Sequence, residues 1–185
     1  MKQKFNPISD NFDFVGSAST DAAIRSIYYD ATRMQGMAVT VPTAAAASLV
    51  VQSTISGLLS FGYNSVADAN ASLNMQIPKD YLTGGRFKIL WNNSATSANS
   101  IVFAPIISVK SIGNSMITQT ETLTPQVLAS GTINLLQESG WFTPTTVFSV
   151  GQMILLRLTR AAVSNASDTD PATIYVNGVI FEYNY

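Results

Sequence analysis

The sequence contains no cysteine and no histidine, and only 11% of its 185 residues are charged. Without cysteine there is no disulfide, thiol nucleophile or thiolate metal site. Without histidine, Ser-His-Asp triads, histidine-ligated zinc and imidazole acid–base chemistry near neutral pH are excluded. Charge is scarce in both signs. Ten basic and eleven acidic residues leave a net charge of −1, and only Lys2, Lys4, Arg25 and Arg33 gather at all. Recognition of phosphates needs a basic face, so no nucleic acid partner is expected. The uncharged stretch between Arg33 and Asp68 is interrupted by Pro42, Gln52, Gly57, Gly62 and Asn64. It lacks the roughly 20 consecutive apolar residues of a spanning helix, and no membrane partner is expected. Residues 1–14 carry cations but no apolar segment of the kind a secretory signal needs.

Hydrophobic residues make up 46% of the chain. A surface poor in charge tends to associate, so much of the exterior is expected to be covered by other protein. A chain of this length buries roughly 70% of its unfolded surface, enough for a core with no metal or cofactor.

The pattern is that of short strands separated by turns. Ala71 to Ile77 alternates, with Leu73, Met75 and Ile77 on one face, and Pro78 ends the run. Gly84-Gly85 marks a turn before Arg86–Trp91, where Phe87, Ile89 and Trp91 share a face. Further strands are expected at Ile55–Tyr63, Ile101–Ile112 (bent near Pro105), Thr132–Leu136, Thr145–Val150, Gln152–Arg160 and Thr173–Tyr183. Thr20–Met34 suits a helix or a strand, and Ala44–Ala47 a helical turn or a loop. About eight to ten strands with long connections favour a jelly-roll or Greek-key sandwich. The expected fold is all-β: a jelly-roll-like antiparallel β-sandwich over residues 21–185, preceded by an extended arm over residues 1–20.

An enzyme would have to use carboxylates, and Asp68, Asp80, Glu121, Glu138, Asp168, Asp170 and Glu182 are the candidates. A glycosidase needs two of them about 5 to 9.5 Å apart across a cleft. No pair stands out, and no catalytic, metal or cofactor residue is assigned. Asp168-Thr169-Asp170 resembles the start of a calcium loop but also reads as turn chemistry. Asn70, Asn92 and Asn165 begin glycosylation sequons. Trp91, Trp141, Tyr28, Tyr29, Tyr63 and Tyr81 could form a sugar-stacking platform or fill the core. Arg157 either pairs with Glu182 or points outward at a subunit contact.

Phe5, Ile8, Phe12 and Phe14 are large apolar residues spaced by Asn, Pro and Asp, and they suit an arm lying across a neighbour. The opening Phe5-Asn6-Pro7-Ile8 with Phe12-Asp13-Phe14-Val15-Gly16 resembles a segment on several tailed-bacteriophage virion proteins. Ile77–Gly85, the strand ending in Trp91 and Asn99–Phe103 resemble phage jelly-roll proteins of the capsid-decoration and head-fibre kind. The likeness covers most of residues 65–185, departing at Lys79 and Arg86. It implies a homotrimer on a phage virion. The expected partners are further copies of the chain and other virion proteins such as the major capsid protein, with Phe5, Ile8, Phe12 and Phe14 of the arm as the anchoring residues. The expected function is a non-enzymatic decoration, cement or head-fibre protein. The alternative is a receptor- or glycan-binding module displayed on the virion.

Overall fold

The computed structural model describes residues 2–6, 11–15, 23–36, 39–40, 43–52, 58–63, 65–113 and 121–185. In chain order the first strands are β1 (Lys2–Asn6), β2 (Asn11–Val15), β3 (Ile24–Asp30), β4 (Met34–Gly36), β5 (Val39–Thr40) and β6 (Thr43–Ala46). There follow β7 (Ser48–Gln52), β8 (Leu58–Tyr63), β9 (Ala69–Gln76), β10 (Thr83–Asn93), β11 (Ser97–Phe103) and β12 (Ile106–Lys110). The last five are β13 (Glu121–Thr122), β14 (Gln126–Gly131), β15 (Gln137–Glu138), β16 (Met153–Arg160) and β17 (Ile174–Asn184). A single 3₁₀ turn, Ala31–Arg33, separates β3 from β4.

Two sheets form the sandwich. The first runs β15-β10-β17-β8-β7, with β3 also beside β17. The second runs β13-β12-β16-β9-β6-β5, with β4 on β9 and the β11–β14 pair joined to β16. Among the described strands, every pairing is antiparallel except β6 with β9. The protein is therefore an all-β, jelly-roll-like antiparallel sandwich.

Period-two patterning decides which residues lie between the sheets. Phe87, Ile89 and Trp91 face inward from β10, as do Val179, Phe181 and Tyr183 from β17. Leu73 and Met75 from β9 meet Ile154, Leu156 and Leu158 from β16. Across the core the Phe103 ring packs edge-on to Trp91 at 6.0 Å and to Tyr63 at 6.4 Å.

Several segments differ from the expectation. The alanine run forms β6, because its backbone groups pair with β5 and β9. Gly84-Gly85 lies inside β10, where an irregular register between Thr83 and Arg86 absorbs the φ of +75° at Gly84. Ile101–Ile112 splits at Ala104-Pro105: β11 pairs with β14, while β12 pairs with β16. Thr132–Leu136 makes a turn between β14 and β15, with one bridge at Ile133. Thr145–Val150 is not a strand either. The Glu121 carboxylate holds the backbone N–H of Thr145 and Thr146 at 2.9 to 3.1 Å, and Phe148 turns into the core.

The amino-terminal strands are extended and fold back on each other as a hairpin, β1 against β2, which is a two-stranded sheet of its own. Phe5 pairs with Phe12 and Gln3 with Phe14, while Ile8 lies outside the described residues.

Candidate functional site

The outer face of the first sheet gathers charged and aromatic side chains. Arg86 and Lys88 project outward from β10, two residues apart, and β17 and β3 continue the two rows. One row is Arg86, Glu182, Ser26; the other is Lys88, Ile180, Tyr28. Arg86 donates from Nε to Glu182 Oε1 at 2.7 Å and also from Nη2. Glu182 Oε2 accepts from Ser26 at 3.3 Å. Lys88 Nζ donates to Glu138 of β15 at 2.9 Å.

Two aromatics frame these rows. Trp141 follows β15 and is half-buried; the Arg86 guanidinium lies 4.3 Å and the Lys88 ammonium 4.5 Å from its ring centroid. Such cation–π contacts contribute about 0.5–1 kcal/mol at exposed sites and help to hold the indole in place. Tyr28, on the other side, is 53% exposed. Its ring lies over Gly178: a Cβ added there would meet Tyr28 Cε2 and the Tyr29 carbonyl oxygen at 2.5 Å. The register shift between Leu90 and Trp91 marks a bulge in β17, and Tyr28 Oη donates to the Asn177 carbonyl at 2.9 Å. Bulges re-aim groups in this way. Burial and the neighbouring Asp30 push the Tyr28 hydroxyl above its ordinary range. The two aromatics are thus pre-positioned on an open sheet surface, with half-buried Ile180 between them.

The structure divides the six aromatics considered from sequence. Trp91, Tyr63, Tyr81 and Tyr29 are buried in the core, and only Trp141 and Tyr28 reach the outer face. The roles of Arg86, Lys88, Glu138 and Gly178 in this face emerge only with the register. Arg86 stood out beforehand solely as a departure from the phage pattern.

Every candidate carboxylate is engaged. Asp80 pairs with Arg25 and accepts from Tyr183 Oη at 2.9 Å. Burial alone would raise the Asp68 carboxyl, but Ser164 and the backbone N–H groups of Val163 and Ser164 outweigh it and hold it below the usual range. Asp168 and Asp170 serve a buried arginine. Arg160 Nε and Nη2 bind the two Asp168 oxygens at 3.0 and 2.8 Å, while Nη1 reaches the carbonyls of Tyr63 and Ala172 at 3.3 and 2.5 Å. Nη2 also bonds the Asp170 carbonyl, and the Asp170 carboxylate takes Ser130 and, at 2.8 Å, the Ala172 N–H. The suspected calcium loop is therefore built around a guanidinium, which takes the oxygen ligands that a hard cation would seek.

Arg157 does not pair with Glu182, which belongs to Arg86 in the other sheet. It lies on the outer side of β16, and desolvation lowers its pKa. Two of the sequon asparagines, Asn70 and Asn92, are buried, so neither can carry a glycan in the folded chain. Two hollows of about 520 Å³ open elsewhere, one beside Met153 and Lys110 and one between Ala95–Asn99 and Asp170–Ala172; neither is lined by an aromatic residue.

The fold and this open face define a jelly-roll sandwich that presents a sheet surface. No protein-family model and no curated protein matches the sequence. Solved structures match the fold. A family 35 carbohydrate-binding module from Clostridium thermocellum is 14% identical with a TM-score of 0.51, over 85% of this chain and 97% of the module. The Arthrobacter globiformis isomalto-dextranase, solved with panose, is 12% identical with a TM-score of 0.51, over 84% of this chain and 23% of the enzyme. The Cry4Aa toxin from Bacillus thuringiensis is 13% identical with a TM-score of 0.50, over 88% of this chain and 23% of the toxin. At these identities the likeness is one of fold.

Proposed function

We propose that this protein is a non-catalytic glycan-binding module carried on a virus particle. One observation carries the reading: Tyr28 and Trp141 are held on an open sheet face among paired charges. A sugar ring has an apolar C–H side that packs on an aromatic face. It also has a rim of hydroxyls, which suit carboxylates and guanidinium groups. Glu182 and Ser26, in the register row beside that of Tyr28, can meet such hydroxyls. The carbohydrate-binding module that matches in fold is spanned almost whole by this chain, which supports a binding role over a catalytic one. So does the engagement of all the candidate carboxylates. The test is glycan-array screening followed by titration calorimetry, with Y28A and W141A as controls. Binding that both variants abolish supports the reading; binding untouched by either places the site elsewhere.

A second reading has its own observation. The hairpin β1–β2 forms a separate sheet, and a two-stranded hairpin is marginal without a partner. In this reading the chain is a trimeric decoration or head-fibre protein, and Phe5, Ile8, Phe12 and Phe14 anchor it to the major capsid protein. The two readings are compatible, since a displayed binding module needs an anchor. Stripped particles mixed with a chain lacking residues 1–16 test it: undiminished attachment places the anchor in the sandwich.

A further inference from the structure

We infer that the face between Tyr28 and Trp141 takes a neutral glycan segment of two sugar rings and discriminates against acidic sugars. This rests on the glycan-binding reading above. Three features of the face support it.

The first is charge balance. Arg86 is committed to Glu182 and Lys88 to Glu138. Asp30, at the end of β3, is bonded to Thr32 and lies in the field of Arg33. Three cations thus stand against three carboxylates, and no net field is left to draw in an anion. A uronate carboxylate could reach Lys88 only by displacing Glu138. It could reach Arg86 only by displacing a Glu182 side chain that is itself just 15% exposed and tied to Ser26.

The second is span. Lys88, beneath Trp141, and Tyr28 are two strands apart in one register row, through Ile180. Strand spacing puts the ends of that row about 10 Å apart, a distance that two linked pyranose rings cover and one does not. A monosaccharide can stack on one aromatic at a time.

The third is the floor. Ile180 is half-buried and apolar, and Gly178 lets the Tyr28 ring lie low beside it. The surface offered to the ligand is C–H-compatible along the row, with hydroxyl partners confined to the neighbouring row of Glu182 and Ser26.

The experiment titrates the full chain with maltose, cellobiose and lactose, with their component monosaccharides and with cellobiouronic acid, in low and high salt. At least one neutral disaccharide should bind about tenfold or more tighter than its monosaccharides, a difference of about 1.4 kcal/mol. The acidic disaccharide should bind more weakly than its neutral counterpart, and added salt should leave the neutral affinity unchanged. The variant E138Q, which releases Lys88, should raise affinity for the acidic sugar. Acidic sugar binding as tightly as neutral, or more weakly to E138Q than to the parent, would overturn the inference and leave a glycan-binding module of another class. Binding of no sugar at all would overturn the glycan-binding reading and this inference together.

Discussion

On the inner face of β10 and β17, Phe181 stacks on Phe87 at 5.2 Å and on Tyr183 at 5.5 Å, with Phe148 and Tyr81 closing the cluster. On the outer face of the same strands, Trp141 is held by two cations and Tyr28 lies over a glycine. Aromatic content is similar in kind on the two sides, but its surroundings differ. Inside, each ring is enclosed by other side chains, so removing one leaves a cavity. Outside, Tyr28 is exposed and Trp141 only half-buried, so removing either costs the fold less. Rings that are held in place without being buried are available to a ligand.

The largest effects should come from the inside. Phe181→Ala should lower unfolding stability by about 3–5 kcal/mol, whereas Trp141→Ala should cost about 1–2 kcal/mol, the scale of a half-buried ring with its cation–π contacts. Urea titration of both measures the contrast. Similar losses would mean that the outer face is packed against something and is not an open platform.

Arg160→Met should cost nearly as much, about 3–5 kcal/mol, because the enclosed Asp168 carboxylate loses its partner. Adding Asp168→Asn to that variant should recover part of the loss. Chelator should leave the melting temperature unchanged, since a guanidinium occupies the loop; a fall reversed by calcium would contradict this.

Gly178→Ala should cost about 1–3 kcal/mol, as the new methyl meets both the Tyr28 ring and the Tyr29 backbone. It should also displace Tyr28 and weaken glycan binding. Unimpaired binding would remove Tyr28 from the site.

Smaller still is the acid response. Burial would raise the Glu121 carboxyl, but Thr145 and Thr146 outweigh it and hold it below its ordinary value. A depressed carboxylate contributes stability above its unfolded pKa, about 4.3, and loses it as pH falls through the folded value. Melting temperature should therefore drop on acidification below about pH 4.5, and Glu121→Gln should flatten that drop. Deleting residues 1–16 should have the least effect of all on melting, because β1 and β2 pair only with each other among the described strands. A large fall would make the hairpin part of the sandwich.

Much of the fold was legible because alternation survives any tertiary context. Leu73, Met75 and Ile77, or Phe87, Ile89 and Trp91, declare a half-buried strand by spacing alone, and all six are buried. Composition likewise determined what the chain cannot do with cysteine or histidine. Alternation says that a strand has two sides; it does not say what lies across from either side. Arg157 and Arg160 sit in one apolar strand, and sequence reasoning weighed only the first. Three residues apart on a strand means opposite faces, and β8 of the facing sheet together with the β16–β17 loop supplied Arg160 with five oxygen partners. Thr145–Val150 has the residues of a strand, yet a carboxylate 24 positions earlier captured its N–H groups. Trp91 and Trp141 are chemically identical, yet Trp91 sits on the inward side of β10 while Trp141 lies in the loop after β15, against Arg86 and Lys88. The strands are local products of side-chain period. The site is a product of which strands meet, a choice made by burying the apolar faces together, and only the tertiary structure records it.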